Sequence, residues 1–489
     1  MTPPDVTGHG GLALSTGSGR RLVLATALAS GMVFLDCTVT PLASPAIVRE
    51  LGGGMSVQQW ILDGYLLTLS SLLLLGGALG DRSGHRRVFV IGLLVFSVAS
   101  IACGIAPSTD ALVLSRVAQG VGGALLVPGS LALIRSAIRP EDRGKALGLW
   151  AGMSGVGSAL GPIVGGWLVD AASWRAVFLV NAPLGLVAVW TTLRHTPDAR
   201  IGPVSGRLDV AGATAIMVGL SGLTYTLIET PAHGWSSWTV LSATVGVVGL
   251  LAFLVVEARS SSPLLPLTLF RSAHFVGANI TTFAVEGAVG AAFFLLALQL
   301  QQSLGYTALA AGLAMLPLTV LMLLLAPWIG AMAQRRGPRL PMTLGPLLCA
   351  AGLALLARVV PGAGFVTDVL PGVAVFGLGL AITVAPLTAA VLAGVDERHV
   401  GAAAGTNNAL AWTAGLIAVA ALPAVAGVHS SAADPLGHGF TTAMLLAAAM
   451  CAVGGVVAFA SIRNPQAALV GSSPACASPN LGQAAPTSC

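Results

Sequence analysis

The sequence predicts an all-α integral membrane protein with fourteen transmembrane helices, arranged as two six-helix halves around a two-helix central insert. Three observations carry that expectation. Hydrophobic residues make up 55% of the 489 positions and charged residues only 8%, with a mean hydropathy of +0.88; a soluble domain would be about 25% charged. Apolar runs of about 20 residues, the length that crosses a bilayer as a helix, recur fourteen times along the chain. The basic residues fall almost entirely into alternate connections between those runs. With 62 glycines and few alternating runs, the spans read as helices and not as strands of a barrel.

The runs begin near Leu22, Val57, Val88, Ala111, Ala146 and Trp174, then near Leu208 and Trp238, and last near Phe275, Thr307, Leu340, Val369, Gly401 and Thr441. The chain therefore divides into an N-terminus expected to be disordered and cytoplasmic (1–19), a six-helix half (20–200), the two-helix insert with its linkers (201–262), a second six-helix half (263–463) and a disordered cytoplasmic tail (464–489). The stretch "RRLVLATALAS" has the basic start and small-residue end of a signal peptide. Its apolar run continues past Ser30 and thirteen further spans follow, so it is read as the first span.

Placing the N-terminus inside puts nineteen of the 23 Lys and Arg residues on the inner side. Arg49, Arg175 and Arg358 fall outside and Arg116 within a span. That asymmetry predicts a multi-pass cell-membrane protein with both termini cytoplasmic. The net charge of +5 thus follows topology and is no nucleic-acid footprint. Cys37, Cys103, Cys349, Cys451, Cys476 and Cys489 show no ligand spacing, so neither a metal site nor a disulfide framework is expected.

Two loops echo each other. "GALGDRSGHRRV" (77–88) and "GAMAQRRGPRLP" (330–341) align at an offset of 253, matching Gly77 with Gly330, Arg82 with Arg335, Gly84 with Gly337 and Arg86 with Arg339. Each follows the second span of a six-span group, which points to duplication of the halves and a central site opening alternately to either side.

The first of these loops, with Gly77, Asp81, Arg82, Gly84 and Arg86, resembles the signature loop of the major facilitator superfamily. Its glycines permit a tight turn. Asp81 is suited to cap a helix N-terminus or pair with a basic group, as a latch that breaks when the halves rock. The fourth span carries Arg116-x-x-Gln119-Gly120, which resembles the superfamily's intramembrane arginine motif. The fifth carries Gly157-x-x-x-Gly161-Pro162-x-x-Gly165-Gly166, a small-residue face whose default role is close packing; the whole string resembles the antiporter motif of exporters. "LDCTVTPLASPAI", "WILDGYLL" and "WRAVFLVNAPLG" look like the fourteen-helix drug:proton antiporter family, over about 22–463. Pro41 and Ser44 depart from that pattern, and Pro41 with Pro45 crowds the outer end of the first span.

Depth arithmetic locates the membrane charges. At about 1.5 Å per residue, Asp36 is about 21 Å along the first span, Asp63 about 9 Å below the outer surface and Arg116 about 9 Å beyond Asp110. All three fall at a similar height, where an isolated charge costs several kcal/mol. An Asp36–Arg116 pair beside Asp63 is the expected proton-coupling group; the alternative is a static ion pair that only holds helices together. Glu286 lies about 17 Å from Phe275, near the midplane. Asn279, Thr282 and Glu286 share one helix face, and with Asn407, Asn408 and Gln119 they are the expected substrate-binding set.

Burial favours the protonated form of a carboxylate. Competition between proton and drug for such groups would couple inward proton flow to outward export. The resemblance therefore implies a proton-coupled drug exporter conferring resistance, not an enzyme. It would be driven by the proton gradient without a cofactor, and its partners would be a small-molecule drug, protons and membrane lipid, with no nucleic acid and a monomeric state. No phosphate loop is present, which excludes an ATP-driven pump. An exporter of an amino acid, sugar or siderophore is the main rival; a non-transporting receptor is the other, and would not need ionisable groups at matched depth.

Overall fold

A computed structural model of the chain describes residues 11–196, 208–260, 263–393, 395, 399–428 and 436–464. Residues 1–10 and 465–489, with Cys476 and Cys489, lie outside the described residues, as do Arg200, Arg207 and Arg398. Among the described residues, fourteen helices are long and apolar enough to cross a membrane. They are α1 Gly17–Leu51, α2 Met55–Ser83, α3 His85–Gly104, α4 Thr109–Ala137, α5 Pro140–Ala171, α6 Trp174–His195, α7 Val210–His233, α8 Ser237–Arg259, α9 Ala273–Ser303, α10 Ala308–Arg336, α11 Arg339–Leu356, α12 Phe365–Leu392, α13 Val400–Val425 and α14 Gly437–Ser461. Every span read from the sequence is present, and the protein is a multi-pass membrane protein.

With an even number of crossings, residues 11 and 464 share one end of the bundle, here the near end. Asn464 accepts the Arg339 N–H at 3.1 Å there, and the Leu12 N–H donates to the Ala137 carbonyl at 2.7 Å. The expectation of disorder through residue 19 needs correction. Leu12 pairs with Ile138, the Leu14 N–H donates to the Asp142 carboxylate at 2.8 Å, and Thr16 caps α1 through the Gly19 N–H. Backbone pairing to the α4–α5 connection orders a segment that composition alone reads as polar and small.

The paired loops after α2 and α10 fold alike. Gly84 and Gly337 end their helices at φ 99° and 92°, a conformation that side chains disfavour. Their N–H groups donate to Gly80 and Ala333, which are related by the same offset.

α1–α6 and α9–α14 form the two halves, and they meet unequally at the two ends. At the far end one hydrophobic cluster crosses between them, joining Leu42, Ile47 and Ile61 to Leu295, Val419 and Leu422. Gln59 donates to the Val419 and Ala420 carbonyls at 2.8 and 3.1 Å, and Gln301 to the Leu42 carbonyl at 3.1 Å. At the near end the clusters separate, one around Phe89 and Ile134, the other around Phe275 and Met342. A cavity of about 720 Å³ opens there between α2, α4 and α13. The structure is closed at the far end and open at the near end.

The insert α7–α8 packs as a tight hairpin, because a side chain at Gly222 would meet the Gly246 backbone nitrogen at 2.6 Å. It lies beside both halves: Leu220 of α7 meets Leu67 of α2 and Leu416 of α13, and the Trp60 indole donates to Glu229 at 2.7 Å.

Candidate functional site

Glycines of α4 bring the site together. A side chain at Gly120 would collide with Tyr65 and Thr68 of α2, and one at Gly122 would meet the Phe96 Cα of α3 at 2.8 Å. α4 therefore lies close against both neighbours, which is where small residues let membrane helices approach. Arg116 and Gln119, one turn apart on α4, project from that seam towards α1.

There the Arg116 Nη1 donates to Asp36 Oδ2 and, at 2.6 Å, to the Gln119 carbonyl oxygen. Its Nε donates to the Ile61 carbonyl at 2.8 Å. The Gln119 amide nitrogen donates to Asp36 Oδ1 and to Ser100 Oγ, both at 2.9 Å. Asp36 and Arg116 are 0% and 1% exposed. The guanidinium carbon stands 4.4 Å from the Tyr65 ring centre and 5.6 Å from that of Phe178. Both carboxylate oxygens and the cation are thus satisfied inside the protein, as a buried ion pair requires. Tyr65, Phe178 and Ser100 complete a site that sequence reasoning reached only through its charges.

α1 carries Asp36 just before its proline-rich end. Pro45 removes the N–H that would bond the Pro41 carbonyl, and Ser44 Oγ donates to that carbonyl at 3.0 Å instead. Positions 41 and 44 therefore meet in one hydrogen bond.

Gln119 was expected among the substrate-binding residues. It is fully buried and committed to Asp36, Arg116 and Ser100, so it belongs to the ion-pair network. Asp63 is also fully buried, yet among the described residues neither of its carboxylate oxygens has a hydrogen-bond partner. It lies one turn from Gln59 on the α2 face that meets α13, so the structure does not join it to Asp36 and Arg116.

In the second half three expected residues do come together. Asn407 Nδ2 donates to Asn279 Oδ1 at 3.1 Å and to Thr282 Oγ1 at 2.6 Å. Glu286 continues that face one turn on, half-buried and without a hydrogen bond or ion pair among the described residues. Asn408 stands apart from this cluster and lines the near-end cavity. Between the halves, Phe34 of α1 stacks on Trp412 of α13 at 5.8 Å, a contact that spacing along the chain does not reveal.

The loop residues sit at the near end. Asp81 Oδ1 is 3.5 Å from His85 Nε2, with 62% of its side chain exposed. Arg86 donates to the Leu193 carbonyl at 2.7 Å. Gly77, Asp81 and Arg82 line the same cavity as Gly401 and Ala402 in the first turn of α13. On α5, side chains at Gly157, Gly161 and Gly165 would meet Gly31, Thr38 and Val39 of α1, and one at Gly166 would meet the Ala308 carbonyl of α10 at 2.6 Å. Pro162 packs against Gly312 of α10. The small-residue face is a packing face, and it reaches both halves.

Residues 24–420 match the family model described as Major Facilitator Superfamily. The chain is 34% identical over 418 residues to the tetracenomycin C resistance and export protein of Streptomyces glaucescens, covering 84% of this chain and 78% of that one. It is 33% identical to the multidrug resistance protein Stp of Mycobacterium tuberculosis, over 84% of this chain and 76% of that one. With the methylenomycin A resistance protein of Bacillus subtilis it shares 32% identity over 93% of this chain and 97% of that one. Among solved structures, a POT family transporter in complex with a thioalcohol conjugated peptide superposes with a TM-score of 0.67 at 17% identity, covering 90% of this chain and 95% of that one. A bacterial homologue of the lysosomal transporter Spinster, inward-facing and unoccupied, gives 0.63 at 17% identity, over 91% and 97%. At that identity the likeness is one of fold.

Proposed function

Because the chain belongs to the major facilitator superfamily, we propose that it is a drug:proton antiporter, exporting antibiotics or similar amphipathic compounds by alternating access and thereby conferring resistance. The near end faces the cytoplasm in this reading, with both termini inside, and a single chain suffices for function. No cofactor is needed; the proton gradient drives the cycle.

The observation that carries the reading is the buried Asp36–Arg116 pair braced by Gln119. Breaking a buried pair by removing one charge costs about 3–5 kcal/mol. Proton binding to Asp36 removes that charge and leaves Arg116 uncompensated, so α1 and α4 must rearrange or admit water. A proton crossing about 100 mV supplies about 2.3 kcal/mol, and one pH unit adds about 1.4 kcal/mol. The two magnitudes are comparable, which lets one proton reset the pair without trapping it.

Drug enters through the near-end cavity. The Asn279–Thr282–Asn407 cluster and half-buried Glu286 offer it hydrogen bonds and one negative charge, and Phe34 and Trp412 offer aromatic surface. Names of relatives that export or resist antibiotics support this substrate class over a sugar or amino acid. The test is efflux from proteoliposomes under an imposed pH gradient: acid outside should drive a cationic antibiotic or dye outward, and a collapsed gradient should stop it. Efflux unchanged after the gradient is collapsed would exclude proton coupling.

A further inference from the structure

α5 ends at the far end in Asp170, one turn after Gly166. Its Oδ1 and Oδ2 accept the backbone N–H groups of Ala308 and Leu309, at 3.1 and 2.8 Å. Those groups open α10, a helix of the other half. The first N–H groups of a helix have no partner within it and carry the positive end of its dipole, so a carboxylate is the side chain suited to hold them. Gly166 and Gly312 let α5 and α10 touch immediately below the cap, with Pro162 seated against Gly312. The joint is therefore a seated contact between halves.

Asp81 occupies the matching place at the near end. It ends α2, the middle helix of the first three-helix set, and faces the first turn of α13 across the open cavity. Asp170 ends α5, the middle helix of the second set, and grips the first turn of α10. Three-helix sets of opposite orientation are nested within such halves, and they make the two aspartates counterparts. One is engaged where the bundle is closed, and the other is disengaged where it is open.

We infer that Asp170 is the far-end latch of the transport cycle, holding α5 to α10 while the near end is open and releasing α10 when the far end opens. This rests on the alternating-access reading. Release is reversible because α10 keeps a cap of its own: Thr307 Oγ1 accepts the Ala310 N–H at 3.2 Å. Asp170 is exposed, so water can take its place.

The test reads the distance across the far end by electron–electron double resonance on the full chain in lipid nanodiscs. Spin labels are placed through Pro107→Cys and Pro361→Cys, both exposed loop positions in opposite halves, with the native cysteines replaced. Asp170→Ala should raise the far-end-open population about two- to fivefold, the range expected for one exposed carboxylate at a helix N-terminus. Asp170→Asn, keeping one acceptor, should raise it less, and Asp81→Ala should lower it. If the Ala variant folds poorly, Ala308→Pro removes one donor instead; Thr307 at φ −67°, ψ 163° already suits a following proline, and the same rise is expected. A two-population parent left unmoved by Asp170→Ala, or shifted in the same direction by Asp81→Ala, would overturn the latch alone. A parent with one far-end distance at every pH would overturn alternating access and the latch with it.

Discussion

Arg116 of α4 rests on the carboxylate of Asp36 of α1, eighty positions earlier in the chain, and neither side chain is more than 1% exposed. Gln119 bonds both partners at once. Three groups from two helices thus share one balance of charge, and disturbing any member disturbs the seam between α1 and α4.

Asp36→Asn keeps the shape of the side chain and removes its charge. Export driven by a pH gradient in proteoliposomes should be lost, while the protein still inserts. The buried Arg116 is then uncompensated, so stability should fall by about 3–5 kcal/mol, read as an earlier thermal transition in detergent. Full gradient-driven efflux by this variant would remove Asp36 from the coupling step.

Asp63→Asn provides the contrast. Among the described residues Asp63 has no hydrogen-bond partner to lose, so an uncharged amide should change stability by no more than about 1 kcal/mol, within the range of near-isosteric swaps. The same melting measurement on both variants separates a paired carboxylate from an unpaired one. Equal losses would mean that Asp63 is ionised and held by a charge that the structure does not bring near it.

The contrast also marks what the sequence could reveal. Helix rise fixes height, and height placed Asp36, Asp63 and Arg116 at one level; the Asp36–Arg116 contact agrees with that. Rotation about the helix axis is a separate quantity. α2 turns Asp63 towards α13, whereas Tyr65, two residues on, faces Arg116. Nothing in the linear spacing set that angle, because glycine packing along α4 determines it. The loop glycines Gly84 and Gly337 were legible for the opposite reason: a positive φ is a local demand. Phe34 against Trp412 and Asp170 against α10 join the two halves, and contacts of that kind leave no periodic trace.

Gly161→Leu tests the α1–α5 seam. Even a β-carbon there would press on Thr38, and overpacking costs about 1–3 kcal/mol. Gly155, with nothing within 4 Å of an added β-carbon, is the control position. Gly155→Leu should melt like the parent and Gly161→Leu earlier. Matching transitions would mean that α5 moves away from α1 at little expense.

Glu286→Gln should separate substrates by charge. The carboxylate is half-buried and unpaired among the described residues, one turn beyond the Asn279–Thr282–Asn407 cluster. An opposite charge is worth more as water is excluded, so a cationic drug should lose about tenfold in apparent affinity, equivalent to about 1.4 kcal/mol. A neutral drug should lose little, since glutamine keeps the hydrogen-bonding shape. Parallel export assays with one drug of each kind decide the matter; equal loss for both would assign Glu286 to coupling or packing.

Asp81→Ala should slow the cycle without weakening the drug. Its carboxylate touches only the rim of the near-end cavity, 3.5 Å from His85, away from the Asn407 cluster. When the near end closes, the first turn of α13, now across the cavity, is the partner within its reach. A carboxylate at an exposed helix N-terminus contributes about 0.3–1 kcal/mol, so the closed near end should become about two- to fivefold less populated and turnover should fall by a similar factor. Equilibrium binding of drug, measured by tryptophan quenching, should stay within about twofold, because the drug meets the near-end-open state that this variant favours. A fall in binding as large as the fall in turnover would place Asp81 in the substrate path and not in the latch.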